Sequence, residues 1–79
     1  MRQFEDLLRF LVEGLVDDPR SIEISGEERG SRVSLTLRVA SEDMGKVIGK
    51  GGRTINAIRK VMKAASVKAE RRVTVEVLD

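Results

Sequence analysis

The stretch Val47-Ile48-Gly49-Lys50-Gly51-Gly52-Arg53-Thr54-Ile55 constrains this chain more than any other. Met44, Val47 and Ile48 sit at helical spacing before the glycines, and Ile55, Ile58, Met62 and Ala65 resume that spacing after them. Two helices joined by a short glycine turn are expected. Gly49, Gly51 and Gly52 permit positive φ and let bare backbone approach a ligand closely. Lys50 stands at the tip, and the second helix begins near Arg53, so its unpaired N–H groups and positive dipole end share one space with two cations. That arrangement suits an anion, most simply phosphate. A helix–helix turn with a glycine cap explains one of the glycines well, but not three beside a lysine.

Charge is distributed to match. Residues 1–43 hold six Arg and no Lys against ten Asp and Glu, a balance of −4. Residues 44–72 hold nine Lys and Arg against Glu70 alone, +8, and Glu76 and Asp79 bring −2 to the remainder. The net charge of +2 hides a basic segment centred on the glycine turn, the footprint of a polyanion binder. A solvated basic helix face is the simpler reading of such a segment alone, and the adjoining turn makes it the weaker one.

Composition removes whole classes of function. With 79 residues the chain is expected to form one small domain whose core gains from pairing with a second subunit. It has neither cysteine nor histidine, so disulfides, zinc fingers, thiol nucleophiles and the usual proton shuttle are out of reach, and neither metal nor cofactor is expected. The carboxylates concentrate away from the turn, and no nucleophile–base pair can be assembled, so an enzyme is not expected. The amphipathic N-terminal segment, broken by Glu5 and Asp6, reads as neither signal peptide nor membrane span, and a cytoplasmic location is expected.

Taken in order, Phe4, Leu7, Leu8, Leu11 and Leu15 predict an amphipathic helix from Gln3 to Val16, stopped before Pro19. Ile22 and Ile24 alternate with polar residues as a short strand, and Gly26 to Gly30 reads as a polar turn. Val33, Leu35, Leu37 and Val39 then form the apolar face of a second strand, antiparallel to the first. Ser41 is the expected N-cap of a helix running to Ile48, with Glu42 and Asp43 at its positive end. Gly45 inside that helix costs stability, and its bare surface either is simply tolerated or lets a base approach. The helix after the turn is expected from Arg53 to Ser66, a charged connection from Val67 to Arg71, and a last strand on Val73, Val75 and Val77. The order is α-β-β-α-α-β, an α+β fold with a three-stranded sheet and three helices on one face.

Isoleucine, then Gly49-Lys50-Gly51-Gly52, then two residues and Ile55 resembles the signature of the KH family of single-stranded RNA-binding domains, isoleucine-GXXG-xx-isoleucine. The element order resembles the type II, prokaryotic-like KH fold over essentially the whole chain. Within the family the chain is most similar to the small stand-alone bacterial KH proteins. Those are RNA-binding proteins that dimerise or pair with a larger protein carrying a KH domain beside a second nucleic-acid-binding domain. The resemblance implies a groove in which Lys50 and Arg53 contact phosphate and the amides of Gly51 and Gly52 approach it. Gly45 and Ile48 would line the base side and Lys46 would join the RNA-binding set, with RNA chaperoning or post-transcriptional control as the role.

Other motifs fit less well. A dinucleotide fingerprint needs a preceding strand and a glycine where Thr54 stands, and a P-loop starting at Gly45 needs its second glycine at the motif's sixth position, where Lys50 stands. A helix-turn-helix reader of duplex DNA could use Arg59, Lys60 and Lys63, but three strands require a sheet and the turn has too many glycines. A protein-interaction module with a basic face is the other alternative. Stacking platforms are excluded because there is no Trp or Tyr and both Phe4 and Phe10 fall in the first helix. Finally, Ala57, Val61 and Ala64 form a second apolar stripe on the long helix, beside its core face. That stripe is either a subunit interface or the edge of a deeply wedged core.

Overall fold

The computed structural model describes residues 2–78, so Asp79 lies outside the described residues. The order is α1 (Arg2–Glu13), β1 (Glu23–Arg29), β2 (Arg32–Arg38), α2 (Met44–Ile48), α3 (Arg53–Lys68) and β3 (Arg72–Val77). Short 3-10 turns at Pro19–Ser21, Ser41–Asp43 and Lys50–Gly52 lie between them. This is the α+β arrangement that the alternation of apolar periods predicts.

The sheet runs β1-β2-β3, with β1 antiparallel and β3 parallel to β2. Register puts Ile24, Gly26 and Glu28 beside Leu37, Leu35 and Val33, and Val73, Val75 and Val77 on the other side of the same three residues. Side chains alternate across a strand, so this set shares one face. Val33, Leu35 and Leu37 are completely buried there against Phe4, Leu8 and Val12 of α1, Val47 of α2, and Ile55, Ile58 and Met62 of α3. Each such side chain contributes about 1.5–3 kcal/mol relative to exposure. The opposite face is polar, with Ser25 and Thr36 sharing a hydroxyl hydrogen bond. Among the described residues no helix is long and apolar enough to cross a membrane.

Several boundaries differ from the sequence expectation. The helix expected to reach Val16 ends at Glu13: Gly14 follows, and Leu15 and Val16 fold back to donate to the carbonyl of Val12. The expected turn from Gly26 to Gly30 is only Gly30-Ser31, because Gly26 to Arg29 pair with Leu35 to Arg32. Gly30 alone has positive φ, 57°, which fits the twist of a two-residue hairpin. The polar residues Glu27 and Glu28 looked like loop because that end of the strand is exposed. Ser41 caps no helix; it sits inside a 3-10 turn and donates to Glu42 Oε1 at 2.9 Å. The long helix continues to Lys68 rather than Ser66, leaving Ala69–Arg71 as the connection.

Candidate nucleic-acid interface

Helix α2 ends where Gly49 N–H donates to Gly45 O at 2.9 Å, and the chain then turns through a single 3-10 turn into α3. Gly49 has φ 76° and ψ 168°, a region essentially reserved for glycine. A Cβ there would lie 2.2 Å from Thr54 Oγ1 and 2.7 Å from the Thr54 amide nitrogen. The first glycine therefore lets the end of α2 press against the start of α3. Gly51 and Gly52 also have positive φ, 64° and 79°. A Cβ on Gly51 would meet nothing within 4 Å, so its freedom serves the turn's shape and leaves open space above the backbone.

Gly52 donates to Gly49 O at 3.1 Å, and Arg53 donates to Lys50 O. The Gly52 amide is thus spent inside the turn, contrary to the expectation that it approaches phosphate. The amides of Lys50 and Gly51 make no such bond among the described residues and remain for a ligand. Helix α3 starts with no side-chain cap and no acidic residue in its first turn. A carboxylate there is what would ordinarily quench the helix dipole. Lys50 and Arg53 are both exposed beside this end. The site presents positive potential and unpaired donors and supplies no anion of its own.

Behind the turn, α2 is braced from below. Asp43 is buried, 2% exposed, and accepts a 3.0 Å hydrogen bond from the Asp18 amide. Lys46 bridges to Asp43 Oδ1 at 3.3 Å and to the Asp17 carboxylate. Burial would push the Asp43 carboxyl up, but the amides of Asp18 and Asp17 and the Lys46 ammonium outweigh it and hold the group below the usual carboxylate range. The Asp17 carboxylate, with help from Asp43, holds the Lys46 ammonium above the usual lysine range. Lys46 is therefore committed to the α1–β1 connection, not standing alone beside Lys50. Sequence reasoning took Asp17-Asp18 as turn chemistry only, since nothing local shows that a carboxylate 25 positions later comes to that amide.

The remaining expected site residues fall into two groups. Gly45 lies exposed on α2, where a Cβ would meet nothing within 4 Å, and Ile48 is half-buried against the core. These stand with Gly49, Lys50, Gly51, Gly52 and Arg53 around the turn. Ala57, Val61 and Ala64 do not; they are exposed on the outer side of α3, with Val61 at 44%. The deeply wedged alternative for that stripe is therefore not what the fold adopts. Arg59, which a duplex-DNA reader would use, instead donates from Nε and Nη2 to Val75 O, both at 3.1 Å.

Relatives resemble the chain over nearly its full length. It is 47% identical over 74 residues to RNA-binding protein KhpA of Clostridium acetobutylicum, covering 94% of this chain and 99% of that protein. It is 42% identical over 78 residues to RNA-binding protein KhpA of Bacillus subtilis, covering 99% and 96%. Among solved structures, a variant of Aquifex aeolicus Era bound to GDP·AlF4− superposes with a TM-score of 0.67 at 20% identity. The likeness covers 95% of this chain but 29% of Era, so it concerns the fold of one part of that protein. The family model described as the KH domain of KhpA/KhpB matches residues 5–77, and the chain belongs to that family.

Proposed function

We propose that this chain is a single-domain, single-stranded RNA-binding protein that clamps the sugar-phosphate backbone at Gly49-Lys50-Gly51-Gly52. The observation that carries the reading is the start of α3: an uncapped helix end with no carboxylate in its first turn, flanked by Lys50 and Arg53 and reached through three glycines of positive φ. The names of the KhpA relatives support the same reading. Lys50 and Arg53 contact phosphate, and the Lys50 and Gly51 amides donate to it. Gly45 and Ile48 offer bases an aliphatic floor, and Lys46 acts by holding α2 in place. The chain works as a binding module in the cytoplasm, as an RNA chaperone or post-transcriptional regulator, rather than as an enzyme.

A gel shift at low salt with single-stranded RNA tests this with the double change Lys50→Asp and Gly51→Asp. Both positions are exposed, and the strain of a side chain at φ 64° costs about 1–2 kcal/mol, which leaves the fold populated. Reversed charge at the clamp is expected to abolish the shift; a shift of unchanged strength refutes the clamp. Affinity is expected to fall with salt, because phosphate contacts release counterions. A flat salt dependence favours a protein-interaction module, and preference for duplex DNA favours the helix-turn-helix reading.

The same chain pairs through the exposed Ala57, Val61 and Ala64 stripe, with a second copy or with a larger KH-containing protein. Small residues around one valine let two helix backbones come close, and two linked clamps gain avidity on one RNA. Val61→Asp is expected to leave a folded monomer where the parent sediments as a dimer.

A further inference from the structure

The helices cover one face of the sheet, and the uncovered face carries a row of like charges. Side chains alternate along a strand, so Arg29, Arg32 and Arg72 point away from the helices. Register sets them directly opposite one another across all three strands, Arg29 beside Arg32 and Arg32 beside Arg72. Neighbouring strands lie about 4.8 Å apart, so three cations start within about 10 Å of backbone. All three are exposed, and none makes an ion pair among the described residues. Glu28, next to Arg29 in the chain, is turned to the helix side, where it pairs with Arg71. Like charges directly opposite destabilise a sheet, so the row costs stability until an anion meets it.

Two cups flank the row and share Arg32 and Ser34. The cup between β2 and β3, about 280 Å³, is lined by Arg32, Val33, Ser34, Arg72 and Thr74 and holds no carboxylate. Two guanidinium forks and two hydroxyls are the donors that phosphate oxygens take. The cup between β1 and β2, about 360 Å³, adds Arg29 but also Glu27. A polyanion is therefore held along the row and turned away by Glu27 further down the sheet.

Within the three strands no apolar side chain lies on this face. A protein partner needs an aromatic or aliphatic anchor at the centre of its interface, and the face offers none. A single strand would find no surface for its bases here. A duplex keeps its bases inside and presents phosphates and 2′-hydroxyls, which arginine, serine and threonine can meet unaided. The row stands where α3 has ended and β3 begins, whereas the glycine turn stands at the start of α3, a helix of about 24 Å. The two are separate surfaces.

We propose that the Arg29–Arg32–Arg72 row docks the phosphate backbone of a base-paired RNA stem while the single-stranded flank of the same RNA lies in the glycine clamp. One phosphate sits in the β2–β3 cup against Arg32, Arg72, Ser34 and Thr74, and its neighbour lies against Arg29. The proposal rests on the RNA-binding reading above and specifies its substrate as a strand beside a stem.

Fluorescence anisotropy tests it with three probes: decauridine, a blunt RNA duplex of twelve base pairs, and a stem-loop carrying a decauridine tail. The parent is compared with Lys50→Asp and with the double variant Arg32→Thr, Arg72→Thr. Threonine suits an exposed strand position, and removing opposed like charges is expected to raise the urea midpoint, which shows that the row variant is folded. A midpoint that falls overturns the premise that the row lacks a counterion. The parent is expected to bind the tailed stem-loop about tenfold or more tightly than decauridine, because two linked contacts add avidity. The row variant is expected to bind decauridine like the parent and to lose that gain, with a shallower salt dependence on the stem-loop. Lys50→Asp is expected to lose decauridine and to keep the parent's affinity for the duplex. The row is refuted if the row variant keeps the gain, if it loses decauridine equally, or if Lys50→Asp loses the duplex as well. It is also refuted if a decaglutamate peptide displaces the duplex at no higher concentration than unlabelled duplex does, which assigns the face to an acidic protein. Decauridine binding with no gain from the stem refutes the row alone, and parent binding to neither decauridine nor the stem-loop refutes the clamp too.

Discussion

The two ends of α3 solve the same problem in opposite ways. At its start the helix has no side-chain cap, no acidic residue and glycines that hold the chain away from its free donors. At its finish the chain closes on itself: Glu70 N–H donates to Val67 O at 3.1 Å and Arg71 N–H to Ser66 O at 2.8 Å, the paired bonds of a Schellman closure. The residue in the left-handed position there is Glu70, φ 57°, where glycine would be the unstrained choice. Glycine is thus concentrated at the end that leaves its donors open and withheld from the end that closes on itself. Unsatisfied donors are costly when buried, but at an exposed helix start they are the means of binding.

The largest expected effect comes from damaging the open end at its joint with α2. Gly49→Ala forces a Cβ into the Thr54 backbone in a glycine-only conformation, and a loss of about 3 kcal/mol is expected in urea unfolding. A stable Gly49→Ala protein with unchanged midpoint would show that the glycine is there for the ligand alone. A smaller effect separates the two ends by acid. Asp43 is held below the ordinary carboxylate value of 3.8, so its contribution is complete above that pH and is lost as pH falls through the lower folded value. Amide exchange is expected to quicken first at Asp18 and in α2, while the amides of Glu70 and Arg71 keep their protection. Simultaneous loss at both ends would mean that Asp43 does not brace α2 separately. The smallest effect closes the comparison: Glu70→Gly relieves the left-handed strain and is expected to stabilise the fold by up to about 1 kcal/mol without changing RNA affinity.

What could be seen in the sequence was what repeats at a fixed period or rests on one residue type. Val33, Leu35 and Leu37 announce a strand by alternation, and the glycines with Lys50 and Ile55 announce the turn, so element order and the turn between α2 and α3 were legible. Contacts between distant segments were not. Gly52 looks like a free amide until the turn's hydrogen bond to Gly49 is known, and nothing local shows that the fold brings Asp17 and Asp43 to Lys46. Arg59 was offered only to a duplex-DNA reading, because its partner is a backbone carbonyl on β3 that any residue could have supplied. Glu28 was read as loop because an exposed strand end needs no apolar residue to hold it, only a partner, which is Val33.

The parallel register of β3 has a consequence for how the molecule assembles. Arg32 and Val33 find Arg29 and Glu28 within a few positions, but their partners on the other side, Arg72 and Val73, are forty positions away. Closing so long a segment costs entropy before any contact compensates it, so the hairpin forms early and the third strand docks late. The glycine turn and α3 lie inside the segment that must close. Folding therefore delivers the hairpin first, and the side of the molecule that carries the glycine turn is completed only with the slowest, least local step. Refolding followed by hairpin amides and by RNA capture should show two rates, with capture the slower.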